Sequence, residues 1–201
     1  QIPYPVATAG ISHAMAFKHV LLAGAARQDK GLTQVIDYIE YLFKSGLAIP
    51  VAIQTSAEHY GKLDVVARAA IDRLDAINYS SLLRQRETLS TDEYRAMYDG
   101  AICLQPYDPV DFADRVSGVT LDALRAGAPV ITTDGTWMAN IVRRFDAGVV
   151  LKDRSVQSIH NAVETIRARF NDYHLHASNA GKTLESENSA QHLIDALMTA
   201  N

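Results

Sequence analysis

His19-Val20-Leu21-Leu22-Ala23, closed by Gly24, is followed after a polar turn by Leu32, Val35, Ile36, Ile39, Leu42 and Phe43. A short apolar run of this kind reads as a strand covered on both faces. The i, i+3, i+4 spacing of the second set predicts an amphipathic helix, which Ser45-Gly46 ends. Outward from this unit the same alternation recurs. A strand at Pro50–Gln54 precedes a weaker helix over 61–74, and a third strand is expected at Ala76–Tyr79. Ser90 or Thr91 caps a short helix reaching Tyr98, followed by a strand at Ala101–Leu104 and a helix at Gly118–Ala126. A strand at Pro129–Thr132, a short helix at Met138–Phe145 and a strand at Gly148–Leu151 come next. Ser155 caps a strong helix with Val156, Ile159, Val163, Ile166 and Phe170 on one face, and helical stretches over 172–185 and 189–199 complete the chain.

Strands alternating with helices predict an α/β fold. It is a doubly wound, Rossmann-like domain of about six parallel strands, helices on both faces and C-terminal helices appended. Such sheets bind ligands beyond the carboxyl ends of their strands, so the loops after Ala23, Tyr79, Leu104 and Thr132 are the places to look.

Composition narrows the function classes. The length of 201 residues suits one generous domain. Nineteen Lys and Arg against 23 Asp and Glu give a net charge of −4, which argues against a broad nucleic-acid-binding face. No apolar run approaches the roughly 18 residues of a membrane span. The segment from Gln1 to Phe17 lacks the basic start and compact apolar centre of a signal peptide. Cys103 lies inside Ala101-Ile102-Cys103-Leu104 and reads as a buried structural thiol, in keeping with a reducing, cytoplasmic compartment.

Two loops carry the residues with chemistry. Gly24-Ala25-Ala26-Arg27-Gln28-Asp29-Lys30-Gly31 sets two cations and two glycines before a helix, a combination suited to an anion, although a solvated charged loop has the same composition. It matches neither nucleotide-binding glycine fingerprint. Asp114 and Asp122 flank the helix start Ser117-Gly118-Val119-Thr120. Carboxylates on either side of an anion-binding turn suit a ligand with hydroxyls around a diphosphate. A solvated loop acid and a helix N-terminal acid is the plainer reading of the same pair. His174 and His176 diverge on a helix, which argues against a metal site. Trp137 and Met138 read as packing residues, and Arg143-Arg144 as a solvated helix end.

From Leu89 to Val150 the words resemble those of the C-terminal, donor-binding domain of GT-B fold glycosyltransferases, the large retaining group called family four. The segment Leu121-Asp122-Ala123-Leu124-Arg125-Ala126-Gly127-Ala128-Pro129-Val130-Ile131 is similar to the family's "LEAMA-x-G-x-PVV", and Tyr98–Pro106 is similar to the helix, turn, strand and proline stretch before it. Gly24–Gly31 resembles the family's glycine, arginine and lysine loop, and Gln1–Val6 resembles its interdomain linker. The resemblance covers almost the whole chain.

The resemblance implies a nucleotide-sugar donor, UDP- or GDP-linked, with no cofactor and no metal requirement. Asp114 and Asp122 match the family's paired glutamates in spacing, each one methylene shorter. Asp114 would then meet the transferred sugar, with Asp111 or Asp108 as alternatives, and Asp122 the ribose. The amides of Gly118, Val119 and Thr120 would meet the diphosphate, Lys30 would neutralise it, and Gly24 would belong to the same donor site. The family arginine follows the first glycine, where Ala25 stands; Arg27 lies two positions later.

The implied division is a linker over 1–18 and a donor-binding domain over 19–201. Beginning at Gln1, the chain is expected to lack an N-terminal acceptor domain and to be inactive alone. The implied partners are the nucleotide sugar, that missing domain and an acceptor glycan, lipid or small molecule, with peripheral membrane association at the inner face through the missing domain. An epimerase of the same architecture, or a non-catalytic nucleotide-sugar-binding module, fits the same words.

Overall fold

The computed structural model describes residues 16–55 and 65–187. Six parallel strands form one sheet: β1 (His19–Leu22), β2 (Val51–Gln54), β3 (Leu82–Gln85), β4 (Ala101–Gln105), β5 (Val130–Thr133) and β6 (Gly148–Leu151), in the order β3-β2-β1-β4-β5-β6. The helices are α1 (Leu32–Lys44), α2 (Val65–Ala76), α3 (Thr91–Ala96), α4 (Gly118–Arg125), α5 (Trp137–Phe145), α6 (Val156–Ala168) and α7 (Phe170–Glu187). This is the doubly wound arrangement that the alternating pattern predicts.

The core lies in two layers. On one face Val20, Leu22, Ile102 and Leu104 pack with Val35, Ile36 and Ile39 of α1, Leu74 of α2 and Ile159 and Val163 of α6. On the other, Leu21, Cys103 and Val130 pack with Leu121 and Leu124 of α4, Val142 of α5 and Ala177 and Ala180 of α7. Alternate residues of β1 and β4 therefore serve opposite layers, as the period of a strand requires. Cys103 is fully buried, and that burial pushes its thiol up to about 12, which keeps it protonated and inert.

Two element assignments need correction. The third strand is Leu82–Gln85, not Ala76–Tyr79. Ala76 ends α2, and Tyr79 is buried because its hydroxyl donates to the carbonyls of Leu47 and Ile49 at 2.9 and 2.6 Å. The real strand sits at the sheet edge, where Arg84 and Gln85 replace an apolar signature. The carboxyl-end loop on that side therefore follows Gln85. The helix begun at Ser155 ends at Ala168, with Arg169 as its cap, so Phe170 starts α7, although it packs in the same layer as Ile159, Val163 and Ile166. The linker through residue 15 and the helix expected at 189–199 lie outside the described residues. No described helix is long and apolar enough to cross a membrane.

Candidate functional site

Because β1 and β4 are neighbours while their crossovers leave in opposite directions, the switch point of the sheet, where such folds hold ligands, lies at their carboxyl ends. The loop after β1 and the loop after β4 meet there. Asp108 N–H donates to the carbonyl of Asp29 at 2.9 Å. Gly31, at φ +77°, lies so close to Pro106 that a Cβ would sit 2.4 Å from the Pro106 carbonyl oxygen.

Lys30 ends a short 3-10 turn, Gln28–Lys30, that folds it back toward Gly24. A Cβ on Gly24 would lie 3.4 Å from Lys30 Nζ and 3.3 Å from Val119 Cγ2. Gly24, Lys30 and the first turn of α4 thus converge. The Gly24 N–H itself donates to Gln54 Oε1 at 2.8 Å, which holds the turn against β2. Lys30 is half-buried, 5.9 Å from the centroid of the fully buried Tyr107 ring. Its ammonium forms no ion pair with any described carboxylate. Burial, then the charge of Arg27, lowers its pKa from the ordinary lysine value; Asp29 opposes this and Arg115 adds to it. A desolvated cation of this kind favours an anion beside it.

The α4 start is preorganised from below. Ser117 caps it, its Oγ accepting from Thr120 N–H at 3.3 Å. The buried Thr120 hydroxyl donates to Gln105 Oε1 at 2.7 Å. Thr120 therefore supports the turn and its amide is engaged by Ser117. The amides of Gly118 and Val119 are the pair left at the mouth, with no partner among the described residues.

The acids are placed unequally. Asp122 is half-buried on α4, and Tyr94 O–H donates to its Oδ2 at 3.4 Å, with the Tyr98 hydroxyl 2.6 Å from that of Tyr94. Burial raises its pKa above the ordinary carboxylate value, partly offset by the Tyr94 bond and by Arg125 and Arg95. Asp114 is exposed and forms no hydrogen bond or ion pair among the described residues, so the chain alone does not bring it against Lys30 or Asp122. Of the alternatives, Asp108 is engaged by Arg154 at 3.1 Å and by Val110 N–H at 2.9 Å, and Asp111 is exposed. Arg27 is held by Asp29, its Nε donating to Oδ1 at 2.9 Å.

Asp122 offers a direct check. A carboxyl whose folded-state pKa is raised loses stability as pH climbs from its unfolded value through its folded one, so at neutral pH the ionised form is a cost to the fold. Asp122→Asn is expected to keep or raise the melting temperature. If Asp122 binds ligand hydroxyls, the same change weakens nucleotide binding about tenfold, as loss of a charged hydrogen bond does. A lower melting temperature with unchanged affinity would make Asp122 a structural acid.

His174 and His176 serve packing. His174 Nδ1 lies 2.8 Å from the Gly127 carbonyl, and His176 Nδ1 lies 3.0 Å from that of Asp146. No group of three or more potential metal ligands is found among the described residues. Met138 is buried with Tyr107 and Phe112 beneath the β4 loop. Arg143 and Arg144 pair with Asp134 and Glu187. A cavity of about 370 Å³ lined by Phe17, Arg167 and Phe170 lies at the opposite, amino-terminal edge of the sheet, away from this cluster.

No family model matches the sequence, and no curated protein matches it. Solved structures do. Sucrose-phosphate synthase from Thermosynechococcus elongatus aligns at a TM-score of 0.70 and 14% identity, over 90% of this chain and 46% of that one. WaaG, a glycosyltransferase of lipopolysaccharide biosynthesis, aligns at 0.61 and 17% identity, over 92% of this chain and 47% of that one. The C-terminal domain of a glycosyl transferase group 1 family protein, LpcC, from Francisella tularensis aligns at 0.64 and 16% identity, over 88% of this chain and 89% of that domain. The chain thus spans about half the length of the full-length proteins and nearly all of the isolated domain. With its six-stranded parallel sheet, it has the Rossmann-like fold of a GT-B glycosyltransferase C-terminal domain.

Proposed function

We propose that the chain is the nucleotide-sugar-binding C-terminal domain of a retaining glycosyltransferase that moves a hexose-type sugar from a UDP- or GDP-sugar to an acceptor. The observation that carries this is Lys30. It is a half-buried ammonium without a carboxylate partner among the described residues, set beside a glycine turn and the start of α4 at the sheet's switch point. The diphosphate would lie against Lys30 Nζ and the Gly118 and Val119 amides, with Asp122 toward the ribose hydroxyls. As the sugar–phosphate bond breaks, charge grows on the leaving diphosphate. A fixed cation and fixed amides stabilise that charge more than they stabilise the bound donor, so they lower the barrier. No metal is required for this role.

Asp114 would reach the transferred sugar once a donor fills the space between the loops. The acceptor, a glycan, lipid or small molecule, would be held by an N-terminal domain across the cleft, in a cytoplasmic protein that can also rest on the inner face of a membrane. Calorimetric titration of the chain with UDP, GDP and their sugars tests the reading. Binding of one nucleotide below millimolar concentration is expected, and no heat with any of them at millimolar concentration would sink it.

A further inference from the structure

The loop geometry singles out a cation to which the motifs assign no role. Arg27, the expected second phosphate ligand, is committed: its Nε and Nη2 both engage the Asp29 carboxylate. Two of its five N–H donors are thereby taken up, and the Asp29 carboxylate offsets its charge and sets its direction. Arg115 is placed differently. Its Nη1 stands 4.0 Å from Asp29 Oδ2, beyond hydrogen-bond length, and none of its N–H groups donates to a described acceptor. The guanidinium lies 4.8 Å over the Phe112 ring. That ring is itself fixed, buried against Tyr107 with centroids 4.6 Å apart, and the Phe112 backbone is bonded to Asp108 and Trp137. Arg115 is therefore a preoriented fork with its donors open.

The charge balance gives an independent reason for a ligand. The charges of Arg27 and Arg115 both act on Lys30, while Asp29 pairs with the two arginines and not with Lys30; the α4 dipole adds to the same positive field. Like charges held together in a partly desolvated loop are unfavourable until an anion of matching charge arrives.

We propose that Arg115 is the second diphosphate-binding cation of this site, with Asp29 positioning it and Arg27 holding Asp29. This rests on the nucleotide-sugar reading above and adds a selectivity to it. Arg115 answers the second phosphate, so it separates a nucleoside diphosphate from the matching monophosphate. Its place in the loop after β4, one residue beyond Asp114, lets it follow the phosphate nearest the sugar.

The test is titration of the chain with UDP, UMP, GDP and GMP, in wild type and in Arg115→Gln, Arg115→Lys and Lys30→Ala. Arg115 is exposed, so Arg115→Gln should keep the wild-type melting temperature. For the nucleotide that binds, Arg115→Gln is expected to weaken the diphosphate about tenfold and the monophosphate less than about threefold, with a shallower salt dependence. Arg115→Lys should recover part of the loss. Equal weakening of both nucleotides, or none, overturns the role of Arg115. If Lys30→Ala still weakens binding in that case, the nucleotide site stands without it. If wild type binds none of the four, the nucleotide-sugar reading falls and this proposal with it.

Discussion

Replacing Lys30 by Ala is expected to cost about 1.5–3 kcal/mol of nucleotide binding, the range for a hydrogen bond to a charged group. That is about a tenfold to hundredfold loss of affinity, read by calorimetry. Lys30→Met carries the sharper consequence. The folded state lowers the Lys30 pKa, chiefly by burial, so between the lowered value and the ordinary one the unfolded chain holds more protons. Stability then rises with pH across that window, and below both values the cost of burying the charge is fully present. An apolar side chain of similar length removes the cost. Lys30→Met should melt higher than wild type at pH 7 while losing about the same tenfold to hundredfold of nucleotide affinity as Lys30→Ala. In the wild type, affinity for the diphosphate should fall as pH climbs through the lowered pKa, because the anion needs the ammonium. A lower melting temperature for Lys30→Met would mean that the ammonium supports the fold, and the site assignment would lose its main support.

The second large effect is expected at Gly31. Its backbone is left-handed, and a Cβ would meet Pro106 at its carbonyl oxygen, its Cγ and its carbonyl carbon, at 2.4, 2.6 and 2.9 Å. Gly31→Ala therefore combines a left-handed penalty of about 1–2 kcal/mol with an overpacking cost of about 1–3 kcal/mol. Together these approach half of a typical domain's stability of about 5–15 kcal/mol. Gly46 is the matched control: it is also left-handed, at φ +65°, but nothing lies within 4 Å of a Cβ there. Urea unfolding should show a large drop in midpoint for Gly31→Ala and a modest one for Gly46→Ala. Equal drops would mean that the Gly31–Pro106 approach relaxes easily and does not fix the two loops together.

The fold was legible wherever burial imposes a pattern. β1, β2, β4 and β5 are buried along almost their whole length, and their apolar runs stand out for that reason. Ser90, Ser117 and Ser155 cap their helices because a side-chain oxygen before an amphipathic run satisfies free amides. β3 was misplaced because an edge strand does not need such a run: Leu83 is exposed, and Arg84 pairs with Asp75. The apolar alternation around Tyr79 arises instead from a tyrosine that bonds two carbonyls across a turn.

At the candidate site, the approach of Lys30 to Gly24 and the place of Asp122 on α4 were legible, where spacing along one loop or one helix determines what is near what. The site was not legible at Arg27, Thr120 or Arg115. Which way Arg27 points depends on the 3-10 turn that presents Asp29 to it. The engagement of the Thr120 amide depends on the cap geometry of Ser117. The placement of Arg115 depends on Phe112 being anchored to loops that are distant in sequence. The one available signal for Arg115 was its basic side chain in a loop at the switch point, which spacing alone does not distinguish from a solvated charge.

The central position of β1 has a consequence for assembly. His19 pairs with Ala101 across β1 and β4, although β2, β3 and their crossover helices intervene in the chain. The Gly24–Gly31 loop leaves one of these strands and the Pro106–Ser117 loop leaves the other. The meeting of the two loops therefore does not exist in either half of the sheet taken separately; it appears only when that long-range junction closes. Any ligand held between these loops would select the closed sheet from every partly assembled form, so it would act on the chain as a folding ligand.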